Sequence, residues 1–213
     1  MKPILFSTPM VQAILDGRKT QTRRVIKDKD ITNWFDIDVD GKPIAYIDQE
    51  TGDSYPPTHR AKYQPGDILW VRETWAKRIH SDNRYYYKAD NNLGAIFNRE
   101  DDKWRPSIFM PREAARIFLR VKNVRVERVQ DIGEEDALAE GVEWLNFATA
   151  KEAFTALWDG INGKRVYGWD TNPWVWVVEF EHMSKGEALL KEMDGMIPQK
   201  KLTPCWGSNA QSV

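Results

Sequence analysis

Eight consecutive residues, Gly17-Arg18-Lys19-Thr20-Gln21-Thr22-Arg23-Arg24, hold four cations and two threonines. Gathered in one place, such groups can line a pocket for an anionic or polar ligand, with guanidinium and ammonium donors meeting its oxygens. The same residues also fit a solvated turn and strand edge, as most short charge runs do. The helix before the string fixes its position. Thr8 is expected at the N-cap, Pro9 at the first helical position and Gly17 just past the end, with Val11, Ile14 and Leu15 as one apolar stripe. The basic stretch therefore leaves a helix with a defined end.

The string resembles the signature of the ASCH domain, a member of the PUA-like β-barrel group, whose pattern runs Gly-x-Lys-x-x-x-x-Arg. Gly17, Lys19 and Arg24 fill those places. The tighter form Gly-Arg-Lys-Thr-x-Thr-x-Arg, that of small bacterial ASCH amidohydrolases acting on N4-acetylcytidine, also matches. A second stretch, Pro65-Gly66-Asp67 followed by Ile68-Leu69-Trp70-Val71, is similar to the turn and strand of ASCH domains. Arg72-Glu73-Thr74-Trp75 continues it in the style of longer, often phage-encoded, members. Glu140-Gly141-Val142 sits where the amidohydrolases carry a Glu before a glycine-like turn.

The resemblance implies a catalytic set of Lys19, Thr22 and Glu140. Thr22 would supply a hydroxyl nucleophile, and Lys19, if desolvated and deprotonated, could take its proton. Glu140 would act as general acid and base toward the leaving amine, or orient a water. Arg24 could hold a carbonyl, a phosphate or the charge developing on oxygen. Arg18, Arg24, Arg72 and Trp75 are the expected ligand-binding residues. Lys19 and Thr22 are three apart and would point to opposite faces of a regular strand. They can converge only if the chain is still turning after Gly17 and the strand begins near Gln21.

Other elements follow from periodicity and turn signals. Pro3–Phe6 reads as a strand before the first helix, and Thr22–Ile26 as one after the basic run. Residues 27–63 and 77–111 read as insertions, the first with a hairpin around 43–47, the second with a strand over 84–88 holding Tyr85, Tyr86 and Tyr87. Alternation is strongest over Ala115–Val129, with Lys122-Asn123 between its halves, which predicts one long half-buried strand or two joined by a bulge. Asp131 is expected to cap a helix over 133–140. Thr149 with Glu152 opens another, whose apolar face is Phe154, Leu157, Trp158 and Ile161. Pro173–Phe180 is the last strand, and 184–213 is expected to be a loosely attached, partly disordered extension.

Composition bounds the function. The 31 basic and 32 acidic residues of the 213 argue against bulk polyanion binding, which needs a basic excess, but leave room for a local basic pocket. Cys205 is the single cysteine, and His59, His80 and His182 are scattered, so neither a disulfide nor a metal site is expected. No apolar run reaches membrane-spanning length and no signal peptide opens the chain, which makes the cytoplasm the expected compartment. The ten tryptophans fit core packing, with one or two as stacking platforms for a base.

The expected fold is an α+β domain over 1–183, with a small mixed PUA-like β-barrel flanked by helices. The expected partner is a nucleoside or RNA, with no cofactor, metal or membrane. The first function is hydrolysis of an amide on a modified cytidine, and the alternative is a module that binds RNA or a modified base without chemistry. A weaker third is a ribonuclease, since ASCH proteins have been linked with RNA cleavage.

Overall fold

A computed structural model gives the structure, and it describes residues 1–27, 35–39, 42–48, 50–77, 84–90 and 103–196. Its frame is a five-stranded sheet, in the order β1 (Lys2–Leu5), β6 (Ile68–Arg72), β9 (Phe118–Arg128), β10 (Trp174–Met183) and β2 (Gln21–Val25). β1 runs parallel to β6, and the other neighbours are antiparallel. The longest ladder joins β9 to β10. There Val121 faces Phe180 and Asn123 faces Glu179, which leaves Lys122 as the extra residue of a bulge where the alternation breaks.

β10 is apolar at every position from Trp174 to Val178, because both its faces are covered there. Val175 and Val177 pack with Val129, Ile132, Phe154 and Trp158. Trp176, Val178 and Phe180 turn to the other side, among Ile4, Val11, Ile14, Leu69 and Leu119. The first side is covered by α2 (Glu134–Ala139) and α3 (Ala150–Asn162), the second by α1 (Thr8–Leu15). A third cluster gathers Trp70, Trp75, Met110, Phe118 and Met183. The molecule is thus of the mixed α+β class. Among the described residues the ladders do not close the sheet, and β1 and β2 are its edges. These edges nonetheless come within reach of each other, since Arg24 of β2 donates from Nη2 to the carbonyl of Leu5 in β1 at 3.0 Å.

Several helix ends differ from expectation by a residue or two. Ser7 rather than Thr8 is the N-cap of α1, with Pro9 in the first turn, and no side chain caps it. Leu15 is exposed; the buried stripe is Val11, Ala13 and Ile14. Gly133 caps α2, because Asp131 is drawn into a 3-10 turn where its carboxylate accepts from the Arg128 amide at 3.2 Å. The cap of α3 is as read: Thr149 Oγ accepts from the Glu152 amide at 3.1 Å.

The segment 27–63 carries a three-stranded sheet of β3 (Phe35–Ile37), β4 (Pro43–Ile47) and β5 (Ser54–Tyr55). In the second insertion β8 (Tyr85–Tyr87) pairs with β7 (Trp75–Lys77). Residues 40–41 before the expected hairpin lie outside the described residues, as do His80 and much of the second insertion. The start of the C-terminal extension is a docked helix, α4 (Lys185–Met196). Its Ala188 is fully buried, and Glu192 meets the N-terminal ammonium at 3.2 Å and also pairs with Arg112. The expected disorder of the tail falls on 197–213, outside the described residues.

Candidate functional site

The chain is still turning where the basic string begins. Gly17 takes a left-handed φ of +74°, open to glycine without penalty, and the amides of Arg18 and Lys19 both donate to the Ala13 carbonyl at 2.9 Å. Thr20 then donates to the Ala139 carbonyl at 2.8 Å, and β2 begins at Gln21. Lys19 therefore lies before the strand, free of its alternation. The amine, the Thr22 hydroxyl and the Glu140 carboxyl, with Arg23 and Arg24, line one cavity of about 520 Å³.

Lys19 reaches Glu140 twice. Its Nζ donates to Oε2 at 2.9 Å and to the Glu140 carbonyl at 2.7 Å. Arg23 meets the other carboxylate oxygen, Nη1 to Oε1, at 3.2 Å. All three side chains are out of water, at 2% exposure for Lys19, 5% for Glu140 and 0% for Arg23. Burial pushes the Lys19 amine below its ordinary value, against the opposing pull of Glu140. Arg23 also pairs with Asp136 at 2.7 Å and Glu127 at 3.0 Å. Its Nε is buried and has no partner among the described residues. Glu140 closes α2 at the C-terminal end, against the helix dipole, and two buried cations offset that placement.

Gly141 is what lets this happen. Its φ is +79°, and a Cβ there would stand 2.7 Å from Lys19 Cβ and 2.8 Å from Ala13 Cβ. The turn after α2 thus lies directly on the turn after α1, which brings residues about 120 positions apart in the chain into one ion cluster.

Thr22 and Arg24 belong to the opposite face of β2 from Arg23. Among the described residues the Thr22 hydroxyl makes no hydrogen bond, so it is available to a ligand. Arg24 lies 5.4 Å from the centre of the Phe6 ring and Lys19 5.6 Å from it, so one aromatic floor faces both cations. Burial pushes Arg24 below its ordinary value. The ladder adds a further feature. The Phe180 amide donates to the Thr20 carbonyl and the Ile26 amide to that of Trp174, so even-numbered residues of β2 bond to β10. The amides and carbonyls of Arg23 and Val25 then point along the free edge, and both residues line the cavity. Phe154, Leu157, Trp158 and Ile161 of α3 form the apolar wall. The helix face read as core packing is thus divided between core and cavity, and Ile161 is exposed for that reason.

The remaining expected ligand residues lie elsewhere. Arg18 turns away, donating to the Gly141 carbonyl at 3.2 Å and pairing with Asp16 at 3.1 Å. Arg72 stacks over Trp70 at 5.4 Å and donates to the Ile108 carbonyl. Trp75 is buried in the third core cluster, beneath Arg105. None of the three lines the cavity, because each is engaged by neighbours outside it. In the sequence Arg23 counts among the four cations that could line a pocket but is given no role of its own. Its signal was the alternation that places it with Gln21, whose Nε2 donates to the Asp136 carbonyl at 2.8 Å.

Among the described residues no group of three His, Cys, Asp or Glu side chains could hold a metal ion, and no helix is long and apolar enough to cross a membrane. No family model matches the chain, and no curated protein matches it. Among solved structures, the crystal structure of protein EF3133 from Enterococcus faecalis V583, family model DUF984, is similar at 11% identity, with a TM-score of 0.39, over 87% of this chain and 72% of that one. At that score the likeness carries no argument.

Proposed function

We propose that this chain is an ASCH-type hydrolase on a PUA-like barrel, cleaving the amide of an acylated cytidine-type nucleoside. The observation that carries the reading is the lysine–carboxylate contact of 2.9 Å, dry on both sides, in the same cavity as an unengaged threonine hydroxyl. Thr22 Oγ attacks the acyl carbonyl carbon as its proton passes to the Lys19 amine, which accepts it once its own proton rests on the Glu140 carboxylate. Arg24 and the edge amides of β2 are the donors at hand for the oxyanion. The bond from carbonyl carbon to exocyclic nitrogen then breaks, and that nitrogen takes a proton from the Lys19–Glu140 pair. The ester left on Thr22 is cleaved by water, which releases the carboxylic acid and restores the hydroxyl.

The apolar wall of α3 and the floor of Phe6 suit a flat base, and the edge of β2 suits its polar rim. The test is incubation with N4-acetylcytidine and chromatographic detection of cytidine. Lys19→Ala and Thr22→Val should each lose turnover. Full turnover by either variant would refute the mechanism. Binding of N4-acetylcytidine without release of cytidine would instead support the non-catalytic reading.

A further inference from the structure

A second chamber of about 540 Å³ opens on the other side of Arg24, in the gap between the edges β1 and β2. The two chambers share Leu5, Arg24 and Val25 as a common wall. Their electrostatics differ. The first contains Glu140; the second is lined by Arg24, Lys27, Arg60 and Lys62, with Tyr63 and Trp176, and among the described residues no carboxylate lines it. Among the described residues Arg24, Lys27 and Lys62 form no ion pair with a carboxylate.

The cations are held in place. Tyr63 donates from its hydroxyl to the Pro3 carbonyl at 2.8 Å, and Lys2 donates to the Lys62 carbonyl at 3.1 Å, which ties this segment to β1. Gln64 Nε2 donates to the carbonyls of Thr58 at 2.8 Å and Ala61 at 2.9 Å, which pins the 3-10 turn Pro57–Arg60. Lys62 lies over Tyr63 at 5.1 Å, and Arg60 over Tyr46 at 5.0 Å. Arg24 and Lys62, each beside an aromatic ring and without a carboxylate partner among the described residues, offer the chemistry that captures a phosphate next to a sugar or base.

We propose that this second chamber binds the phosphate of a nucleotide whose base occupies the first, so that the ligand is a phosphorylated nucleoside rather than a free one. The proposal rests on the nucleoside reading above for the occupant of the first chamber. Arg24 stands at the join, where the sugar crosses. It is half-buried there and, among the described residues, forms no ion pair with a carboxylate, so an anion alongside would supply a close counter-charge. Arg60, Lys62 and Tyr63 come from the segment 27–63 and its junction with β6, so this insertion would set the ligand class.

The test is binding, read by tryptophan fluorescence with unacylated probes: cytidine, cytidine 5′-monophosphate, a short oligocytidylate and inorganic phosphate. The monophosphate is expected to bind at least about tenfold more tightly than cytidine at low salt, with an advantage that shrinks as salt rises. Lys62→Ala combined with Lys27→Ala should erase most of that advantage, and Lys62→Arg should keep it. Both side chains are exposed, so the variants should fold, which circular dichroism checks. Oligocytidylate binding above the monophosphate assigns the phosphate to a chain, and binding equal to or below it assigns a free nucleotide. Equal affinity for cytidine and its monophosphate, or an advantage untouched by the double variant, overturns the proposal. Because no acyl group is involved, failure of this test leaves the hydrolysis reading standing, and failure of hydrolysis leaves this test intact.

Discussion

Gly141→Ala separates two effects that a glycine usually confounds. Left-handed backbone costs a non-glycine residue about 1–2 kcal/mol. At Gly141, with φ +79°, the new methyl would also meet Lys19 Cβ at 2.7 Å and Ala13 Cβ at 2.8 Å. Carbon atoms pack best at about 3.5–4.0 Å, so the turn must back away by roughly 1 Å. Overpacking of this kind costs about 1–3 kcal/mol. The two contributions together give about 3 kcal/mol, a melting temperature roughly 6–12 °C lower for a chain of this size. Gly17→Ala supplies the reference. Its φ is +74° and nothing lies within 4 Å of the added atom, so it carries the backbone cost alone.

The assay is urea unfolding of both variants beside the parent, followed by circular dichroism. Gly141→Ala should fall below Gly17→Ala by the contact cost. A displaced turn also moves Glu140 off Lys19, and a misplacement of about 1 Å can cost about 100-fold in turnover. If Gly141→Ala proves no less stable than Gly17→Ala, the close approach of the two turns is wrong, and with it the account of how Lys19 meets Glu140.

Other perturbations test separate parts of the structure. Burial lowers the Lys19 pKa from 10.5, so between the lowered value and about that pH the unfolded chain binds more protons than the folded one. Stability should therefore gain with rising pH across that window, and Lys19→Met should lack the gain in urea unfolding at paired pH values; a gain of equal size in the variant refutes the assignment. Glu73 is buried and held by Arg116 through two hydrogen bonds of 2.9 and 3.0 Å. Arg116→Met strands that carboxylate and should cost about 3–5 kcal/mol at neutral pH. Burial already raises Glu73, so the loss should lessen in acid as the carboxyl protonates, which unfolding at two pH values reads directly. Thr149→Ala removes the cap bond to the Glu152 amide and should cost about 1 kcal/mol, or roughly 2–4 °C in a thermal melt.

What could be read from the sequence was what local physics decides. The strand over 118–128 announced itself by alternation, with a bulge at Lys122-Asn123 as one of two readings, and α3 by a cap with its box partner. The late start of β2 followed from Gly17, and that start is the condition for Lys19 and Thr22 to share a cavity. Arg72 and Trp75 were less legible. A guanidinium and an indole fit a ligand or a neighbour equally well, and only the fold supplies the Ile108 carbonyl and the third core cluster that occupy them. The contact of Glu140 with Lys19 lies 121 positions away along the chain, and no local periodicity encodes it. The resemblance named both residues. The reason they meet is Gly141, which the sequence displayed only as the stop of a helix.

The cluster around Glu140 is a poor device for stability. Dehydrating a lysine, an arginine and a carboxylate costs several kcal/mol for each ion, and their mutual attraction often only offsets it. An apolar trio of similar volume would hold the turns of α1 and α2 together at least as well. The cluster also leaves a buried Arg23 Nε without a partner among the described residues, a further cost that packing alone would not incur. It stands at an edge of the sheet, where among the described residues β2 has no further strand to pair with, and Arg23 and Val25, whose amides point outward, line the cavity. A buried amine held below its ordinary pKa, a hydroxyl left unengaged and an open row of backbone donors are each unfavourable for folding. Each becomes useful when a polar molecule fills the space between them, and that coincidence is the strongest physical ground for treating this edge as a site.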